Sequence, residues 1–233
     1  MGEYAQKRII RKLDLELFLS NIAPQPSPQA HLEQYTISPS IASTMLYLAA
    51  YANNDVFGKM VLDLGCGTGR LALGASYLGA KNVVGIDIDK LAIRTAAENA
   101  LKTDQVENVQ WVIGDINSID GKFDTVLQNP PFGVQTREAD RGFLIKALEV
   151  GKSIYSLHSH PQVDIHLIKR LRSSGGFLQV NPSPFLEKFV SKHSGVVKSV
   201  YAMLMTIPRM FDFHTKLKHD FVIDLYVIEK LTF

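Results

Sequence analysis

The sequence predicts an α/β fold: a doubly wound, mostly parallel sheet of seven strands with an antiparallel C-terminal hairpin. Two observations lead to this prediction. Between residues 59 and 158, short apolar runs alternate with segments of helical periodicity, which is typical of right-handed βαβ units. After residue 195, two long apolar runs follow one another, as expected for a hairpin at the edge of the sheet.

The N-terminal part is predicted to be helical. Apolar side chains recur with helical spacing over residues 3–20, and a proline-rich stretch at 24–28 ends that helix. Ser38 before Pro39 is a typical N-cap with proline at the first helical position, so a second helix begins there and runs to about residue 53.

The central and C-terminal elements follow from the same periodicities. Strands are expected at 59–65, 82–89, 108–115, 122–129 and 152–158, with helices at 69–79, 90–102 and 141–151. Residues 161–195 fit two helices around a short strand, and 195–208 and 221–231 form the arms of the hairpin.

Composition narrows the class of protein. The 233 residues carry a net charge of +2, 46% are hydrophobic and 21% are charged, which excludes disorder as the main state and a histone-like polycation. A single cysteine, Cys66, excludes an internal disulfide and favours a reducing, cytoplasmic setting.

No apolar run approaches the roughly 18 residues that span a bilayer, so no membrane association is expected. His158, His160 and His166 fit no standard ligand spacing, so no metal site is expected.

A glycine-rich turn follows the first central strand. Gly65, Gly67 and Gly69 flank Cys66 and Thr68 between a strand and a helix. Glycines allow a sharp turn and close approach to a ligand, and the following helix points free N–H groups at the same place. The pattern alone is weak, because such turns also serve ordinary strand–helix packing.

Acidic residues end the next two strands. Asp87 can accept both hydroxyl hydrogens of a ribose, while Asp89 caps the following helix. Asp115 can accept a hydrogen bond from an adenine amino group, with Ile116 against the ring. These groups share the carboxyl edge of one sheet, which is the expected place for a nucleoside cofactor.

The most specific motif ends the fourth strand, at Asn129, Pro130, Pro131 and Phe132. The prolines stiffen the loop, so the side-chain oxygen of Asn129 and the carbonyl of Pro130 can accept the two hydrogens of a planar amino group. Phe132 offers a ring on which a base can stack. These residues are therefore predicted to be catalytic.

In this order the motifs resemble the class I S-adenosylmethionine-dependent methyltransferases with a Rossmann-like fold, specifically the methyltransferase-like-five family of ribosomal RNA adenine methyltransferases and its archaeal relatives. Similar stretches include residues 32–35, Pro39, Ile41–Ala42 and Met45–Tyr47 near the N-terminus. Others are Asn129–Gly133, Phe143–Leu144, Ala147–Glu149, Tyr155–His158, Phe213–His214 and Val222–Tyr226.

The resemblance implies one methyltransferase domain over residues 1–233, with a helical extension at 1–55 and a cofactor-binding core at 56–158. An insertion at 159–195 and a hairpin at 196–233 follow. The residues implied to bind S-adenosylmethionine and its product S-adenosylhomocysteine are Gln34, Ile37, Gly65, Gly67, Thr68, Gly69, Arg70, Asp87, Ile88, Asp115, Ile116 and Asn129. Ile37 and Arg70 depart from the residues usual in the family.

The implied reaction is direct methyl transfer to the exocyclic N6 of an adenine in RNA, and the expected substrate is small-subunit ribosomal RNA. The resemblance also implies a small zinc-binding activator protein at an exposed sheet edge, with residues 108–113 as the expected surface. Two basic stretches, 7–12 and 209–220, are expected to contact RNA phosphates. A DNA adenine, a protein glutamine amide and a non-catalytic cofactor-binding scaffold remain alternatives.

Overall fold

A mixed sheet organises the chain, and the computed structural model describes residues 9–26, 36–132, 139–162, 165–208 and 218–231. The described helices are α1 Lys12–Ser20, α2 Pro39–Tyr47, α3 Arg70–Tyr77, α4 Lys90–Lys102, α5 Ala139–Val150, α6 Ile165–Ser173 and α7 Pro184–Lys192. The strands are β1 Met60–Leu64, β2 Asn82–Asp87, β3 Val109–Ile113, β4 Phe123–Gln128, β5 Gly151–Ser159, β6 Phe177–Val180, β7 Gly195–Pro208 and β8 Lys218–Lys230. A π-helical turn, Leu48–Ala52, extends α2, and a short 3₁₀ turn, Ile116–Ser118, follows β3.

The strands lie in the order β3-β2-β1-β4-β5-β8-β7-β6. Strands β1 to β5 are parallel, and β6 to β8 pair antiparallel with their neighbours. The predicted α/β class, the parallel half and the antiparallel hairpin are therefore confirmed.

The predicted number of strands and the position of the hairpin are wrong. The sheet has eight strands among the described residues, because the short strand predicted between two helices pairs with β7 as β6. The hairpin of β7 and β8 consequently lies inside the sheet, with β6 at the outer edge. Hydrophobic periodicity reveals a strand, but its partner depends on contacts between distant residues.

Helices cover both faces of the sheet. One face carries α1, α2 and α3 over a core cluster that includes Leu15, Leu46, Leu73 and Leu127. The other carries α5 and α7 over a second cluster that includes Leu148 and Val190. Helix α6 packs on this second face through Leu171, which contacts Ala202 and Val222.

Local signals explain several helix ends. The Ser38 side chain accepts a hydrogen bond from the N–H of Ile41, and Pro39 is the first residue of α2, as predicted. The Asp89 side chain caps α4 by accepting the N–H of Leu91 at 2.8 Å. Among the described residues, no helix has the length and apolar character needed to cross a membrane.

Candidate active site

The predicted site residues follow neighbouring strands at one edge of the sheet. In the parallel register, Leu64 of β1 lies beside Gln128 of β4 and beside Ile86 of β2, so the glycine turn, Asp87 and Asn129 begin at the same level. Asp87 in turn lies beside Ile113 of β3, two residues before Asp115. The tertiary structure therefore brings all four motifs to the carboxyl edge of β1 to β4, where α/β proteins bind ligands.

The glycine turn is held from both sides. Gly65, Gly67 and Gly69 all have positive φ angles, of 74°, 53° and 84°. A methyl group on Gly65 would lie 2.7 Å from the Phe143 ring, and one on Gly69 would lie 2.4 Å from the Trp111 ring. A methyl group on Gly67 would meet no atom within 4 Å, so the open side of the turn lies above Gly67.

Trp111 belongs to the support of this turn. Its ring packs against Gly69 and also against Gly85, where a methyl group would lie 2.6 Å from the ring. The side chain is part of the packing of the first core cluster. Trp111 lies within residues 108–113, the surface expected for an activator protein, and its ring packs inward against the glycine turn.

Asp87 connects the glycine turn to the end of β2. Its Oδ2 accepts the N–H of Gly67 at 2.8 Å, and its Oδ1 accepts the N–H of Asp89 at 2.9 Å. Burial raises the pKa of this carboxyl group, although the two backbone hydrogen bonds oppose the shift. The next residue, Ile88, keeps 58% of its surface exposed, so an apolar side chain stands at the edge of the site.

A second carboxyl group, that of Asp63, lies beneath the turn. It is buried, and its Oδ2 accepts the N–H of Ala72 in α3 at 2.8 Å. Burial, with a further contribution from the charge of Asp87, raises the pKa of Asp63 to about 7 against the effect of that hydrogen bond. Burial also raises the pKa of the Cys66 thiol, which therefore stays protonated and inert at neutral pH.

Asp115 is exposed and caps the 3₁₀ turn after β3. Its Oδ1 accepts hydrogen bonds from the backbone N–H and the side-chain amide of Asn117, both at 2.8 Å. Ile116 is half-buried and packs on the second core cluster. Both residues stand at the predicted edge of the sheet.

The Asn129–Phe132 loop leaves β4 beside the glycine turn. The side-chain oxygen of Asn129 is buried, and Pro130 is buried as well. Phe132 is half-buried against the first core cluster, which leaves part of its ring accessible.

Arg70 and Ile37 contact each other rather than the open side of the turn. The Arg70 guanidinium donates to the carbonyl oxygen of Ile37 and, at 2.8 Å, to that of Ile22. The Ile37 side chain is buried in the first core cluster. The roles of these two residues in cofactor binding stay predictions, and Gln34 lies outside the described residues.

Sequence reasoning missed several connections around the site. Asn99 in α4 donates to the carbonyl oxygens of Ala23 and Thr68, each at 3.1 Å, and the Gln25 amide donates to Asp89 at 2.7 Å. These bonds hold the N-terminal segment near the glycine turn. No local pattern reveals them, since their partners lie 31 to 76 positions apart in the chain.

A buried polar row on β4 and β5 was also missed. Gln128 donates to Ser156 at 2.8 Å, and the Ser156 hydroxyl lies 2.8 Å from Nε2 of His158. The available signal was the occurrence of polar residues in otherwise apolar strands just before the loop.

Across the described residues, no group of three or more histidine, cysteine, aspartate or glutamate side chains is arranged to hold a metal ion.

Comparisons with known proteins agree with this arrangement. Residues 41–130 match the family model described as ribosomal protein L11 methyltransferase (PrmA). A crystal structure from Pyrococcus horikoshii, described as a candidate RNA methyltransferase, superposes with a TM-score of 0.79 at 34% identity, covering 96% of this chain and 100% of that one.

The sequence similarity to known proteins extends well beyond the glycine turn. An uncharacterised protein of Methanocaldococcus jannaschii is 38% identical over 97% of each chain. The rRNA N(6)-adenosine-methyltransferase METTL5 of Danio rerio is 39% identical over 163 residues, which are 67% of this chain and 78% of the relative. The chain is therefore a methyltransferase and belongs to the METTL5 family of rRNA N(6)-adenosine-methyltransferases.

Proposed function

We propose that this protein transfers a methyl group from S-adenosylmethionine to the exocyclic amino nitrogen of an adenine in RNA, and that the RNA is small-subunit ribosomal RNA. One observation carries the proposal. The glycine turn after β1 and the Asn129–Phe132 loop after β4 begin side by side, because Leu64 and Gln128 are paired in the sheet. A donor held at the first and an acceptor held at the second are then neighbours.

The residues around the glycine turn fit a nucleoside cofactor. A methyl group on Gly67 would meet only open space, and Asp87 holds this turn while retaining acceptor capacity for a ribose. The exposed side chain of Ile88 and the half-buried Ile116 offer apolar contacts for an adenine ring. S-adenosylmethionine, when bound, supplies a methyl group activated by the positive charge on its sulfur.

The Asn129–Phe132 loop is proposed to bind the acceptor. The Asn129 side-chain oxygen and the Pro130 carbonyl accept the two amino hydrogens, which directs the nitrogen lone pair away from the ring plane. Phe132 stacks on the base. The adenine must leave its stack to reach the loop, so the substrate is unpaired or flipped RNA. The proton released from the methylated nitrogen goes to water, since residues 128–132 include no titratable side chain.

Two observations favour RNA over the alternatives. The model for ribosomal protein L11 methyltransferases matches 41–130, whereas the similarity to METTL5 extends over 67% of the chain. In addition, α6 carries exposed basic side chains and no acidic residue. It packs against Val222. The carbonyl of Val222 accepts the N–H of His160, which lies just beyond the end of β5. The basic residues of α6 are His166, Lys169, Arg170 and Arg172. A basic helix on the acceptor side of the site suits a phosphate backbone.

The alternatives are a DNA adenine and a protein glutamine amide, which also present planar amino groups. Both would use the same loop. The basic stretches predicted at 7–12 and 209–220 do not decide between them, because residues 1–8 and 209–217 lie outside the described part of the chain.

A small zinc-binding activator protein is proposed to pair with β3. Within the described sheet, β3 is the edge strand opposite β6 and pairs with β2 alone. Exposed apolar side chains surround this edge at Leu101, Val106 and Ile113. An unpaired strand bordered by apolar side chains suits the addition of a partner strand.

A labelling experiment tests the function. The purified protein is incubated with S-adenosylmethionine labelled with tritium in the methyl group, together with ribosomal RNA, ribosomal subunits, tRNA, DNA or protein extract in separate reactions. Label in small-subunit RNA, recovered as N6-methyladenosine after digestion, is the expected result. Label found only in DNA, or only in protein, would identify that molecule as the substrate in place of RNA.

A further inference from the structure

A row of buried polar side chains crosses the sheet directly behind the acceptor loop. Gln128 of β4 lies beside Ser156 of β5, and His158 follows two residues later on the same face. Gln128 and Ser156 are 0% exposed and His158 is 4% exposed. Helix α5 covers this face, which also carries the apolar side chains of the second core cluster. Polar groups in such surroundings are costly unless they are hydrogen-bonded in a defined arrangement.

The row continues to a carboxylate. The Gln128 amide donates to Ser156 Oγ at 2.8 Å, and Ser156 Oγ lies 2.8 Å from Nε2 of His158. The other ring nitrogen, Nδ1, lies 3.6 Å from Oδ2 of Asp140 in the first turn of α5, which is an ion-pair distance and longer than a hydrogen bond. Two hydrogen bonds and this longer contact therefore connect α5 to the residue that precedes Asn129.

Donors and acceptors along this line have one consistent direction. Because the amide of Gln128 donates to Ser156, the Ser156 hydroxyl is free to donate its proton to His158 Nε2. In that arrangement Nε2 carries no hydrogen, and the ring carries its hydrogen on Nδ1, on the side of Asp140. Interaction with His158 lowers the pKa of Asp140, in keeping with a carboxylate at the end of the line.

A hydrogen on Nε2 of His158 would reverse the central bond. The Nε2–H would donate to Ser156, so the serine proton would need another acceptor. The remaining acceptor in the line is Oε1 of Gln128, which is buried and accepts no hydrogen bond in the present arrangement. For Oε1 to accept the serine proton, the side-chain amide of Gln128 must flip so that its oxygen and nitrogen exchange places, next to Asn129.

We propose that Asp140, His158, Ser156 and Gln128 form a positioning chain for the acceptor loop, and that this chain has its active arrangement while Nε2 of His158 accepts the hydroxyl hydrogen of Ser156. The inference rests on the proposed function, since it concerns the loop that binds the acceptor amino group. None of the four residues needs to touch the reacting atoms. They hold the end of β4, from which Asn129 projects.

Other titratable groups near His158 are already engaged. Asp224 of β8 lies opposite His158 in the sheet and is paired with Nδ1 of His160 at 2.8 Å. Tyr226 packs edge-on against the His158 ring at 5.3 Å, and its hydroxyl accepts the N–H of Ser183. Arg141 follows Asp140 in α5 and lies 4.8 Å above the Phe185 ring. His160 is therefore a control, because this histidine just beyond β5 pairs with the carboxylate of Asp224 on β8 and lies outside the chain.

The kinetic test compares kcat of wild type and variants with whichever substrate the labelling experiment identifies. Ser156→Ala should lower kcat about tenfold or more, with unchanged S-adenosylmethionine Kd, because a small displacement of a positioned group is costly. His158→Gln supplies an amide oxygen that accepts the Ser156 proton, so it should retain more activity than His158→Ala. His160→Gln, outside the chain, should keep kcat close to that of wild type.

A second measurement needs no substrate. Nitrogen-15 NMR of wild-type protein should show His158 as the tautomer with hydrogen on Nδ1 at neutral pH, assigned by its loss in His158→Gln. The opposite tautomer would overturn the chain even if RNA methylation succeeds. A kcat of Ser156→Ala equal to that of wild type would also overturn it. Labelling of a different substrate, with the expected tautomer and kcat values, would overturn the proposed function alone.

Discussion

The backbone N–H of Gly67 lies 2.8 Å from Oδ2 of Asp87, so the glycine turn after β1 is tied to the end of β2. The bond spans 20 positions in the chain. It orients the turn so that the missing side chain of Gly67 faces open space, whereas those of Gly65 and Gly69 face aromatic rings. The three glycines of the turn therefore serve different purposes, and substitutions should separate them.

Gly67→Ala should weaken the binding of S-adenosylmethionine about tenfold or more with a small loss of stability. The added methyl group enters open space above the turn, and the φ angle of 53° adds strain on the order of 1 kcal/mol. Calorimetric titration gives the Kd and thermal unfolding gives Tm. Gly69→Ala is the comparison, because its methyl group would overlap Trp111 and should lower Tm more strongly. Equal affinity of Gly67→Ala and wild type would show that the cofactor binds elsewhere.

Asn129→Ala should abolish turnover while S-adenosylmethionine Kd stays close to that of wild type. The substitution removes an acceptor for the amino group but leaves the glycine turn and Asp87 unchanged. Single-turnover methylation and calorimetric titration measure the two effects separately. Simultaneous loss of cofactor binding would contradict the acceptor role of Asn129.

Asp63→Asn should flatten the pH dependence of stability between about pH 4 and pH 7. The pKa of Asp63 is raised to about 7 in the folded protein, from about 3.9 in an unfolded chain. In this interval the folded state binds more protons, so the free energy of unfolding falls as pH rises, by at most about 1.4 kcal/mol per pH unit. This stabilising contribution is complete below the unfolded pKa and lost above pH 7.

Urea unfolding at several pH values measures this slope. The asparagine oxygen still accepts the N–H of Ala72, so the variant removes the titration and keeps the hydrogen bond. Other buried carboxyl groups titrate in both proteins and cancel in the comparison. Parallel curves for wild type and Asp63→Asn would contradict the assignment.

Reversing the charge of α6 should weaken RNA binding. Lys169→Glu with Arg170→Glu introduces repulsion of phosphates on an exposed helix, so the Kd for RNA should rise at low salt and its salt dependence should become shallower. Lys188→Glu with Lys192→Glu on α7 is the matched control, because these side chains are also exposed and basic. Fluorescence anisotropy with ribosomal RNA fragments at several salt concentrations measures both. Equal effects of the two double variants would argue against a specific role for α6.

Most of the elements were predictable because their signals are local. The N-cap at Ser38 and the helix over residues 90–102 follow from capping residues and apolar spacing within a few positions. The placement of the four motifs was predictable as well, because parallel strands bring their carboxyl ends to one edge. The position of β6 was not, because its pairing with β7 is decided by packing across the sheet.

The sequence by itself determined the order of strands and helices, the proline-containing Asn129–Phe132 loop and the glycine-rich turn. Tertiary structure decided which side chains meet behind them: Arg70 with the carbonyls of Ile22 and Ile37, and Gln128 with Ser156 and His158. The physical reason is the distance along the chain over which each kind of interaction acts. Backbone preferences act over a few residues, whereas the partner of a buried polar group depends on which distant strand or helix packs against it.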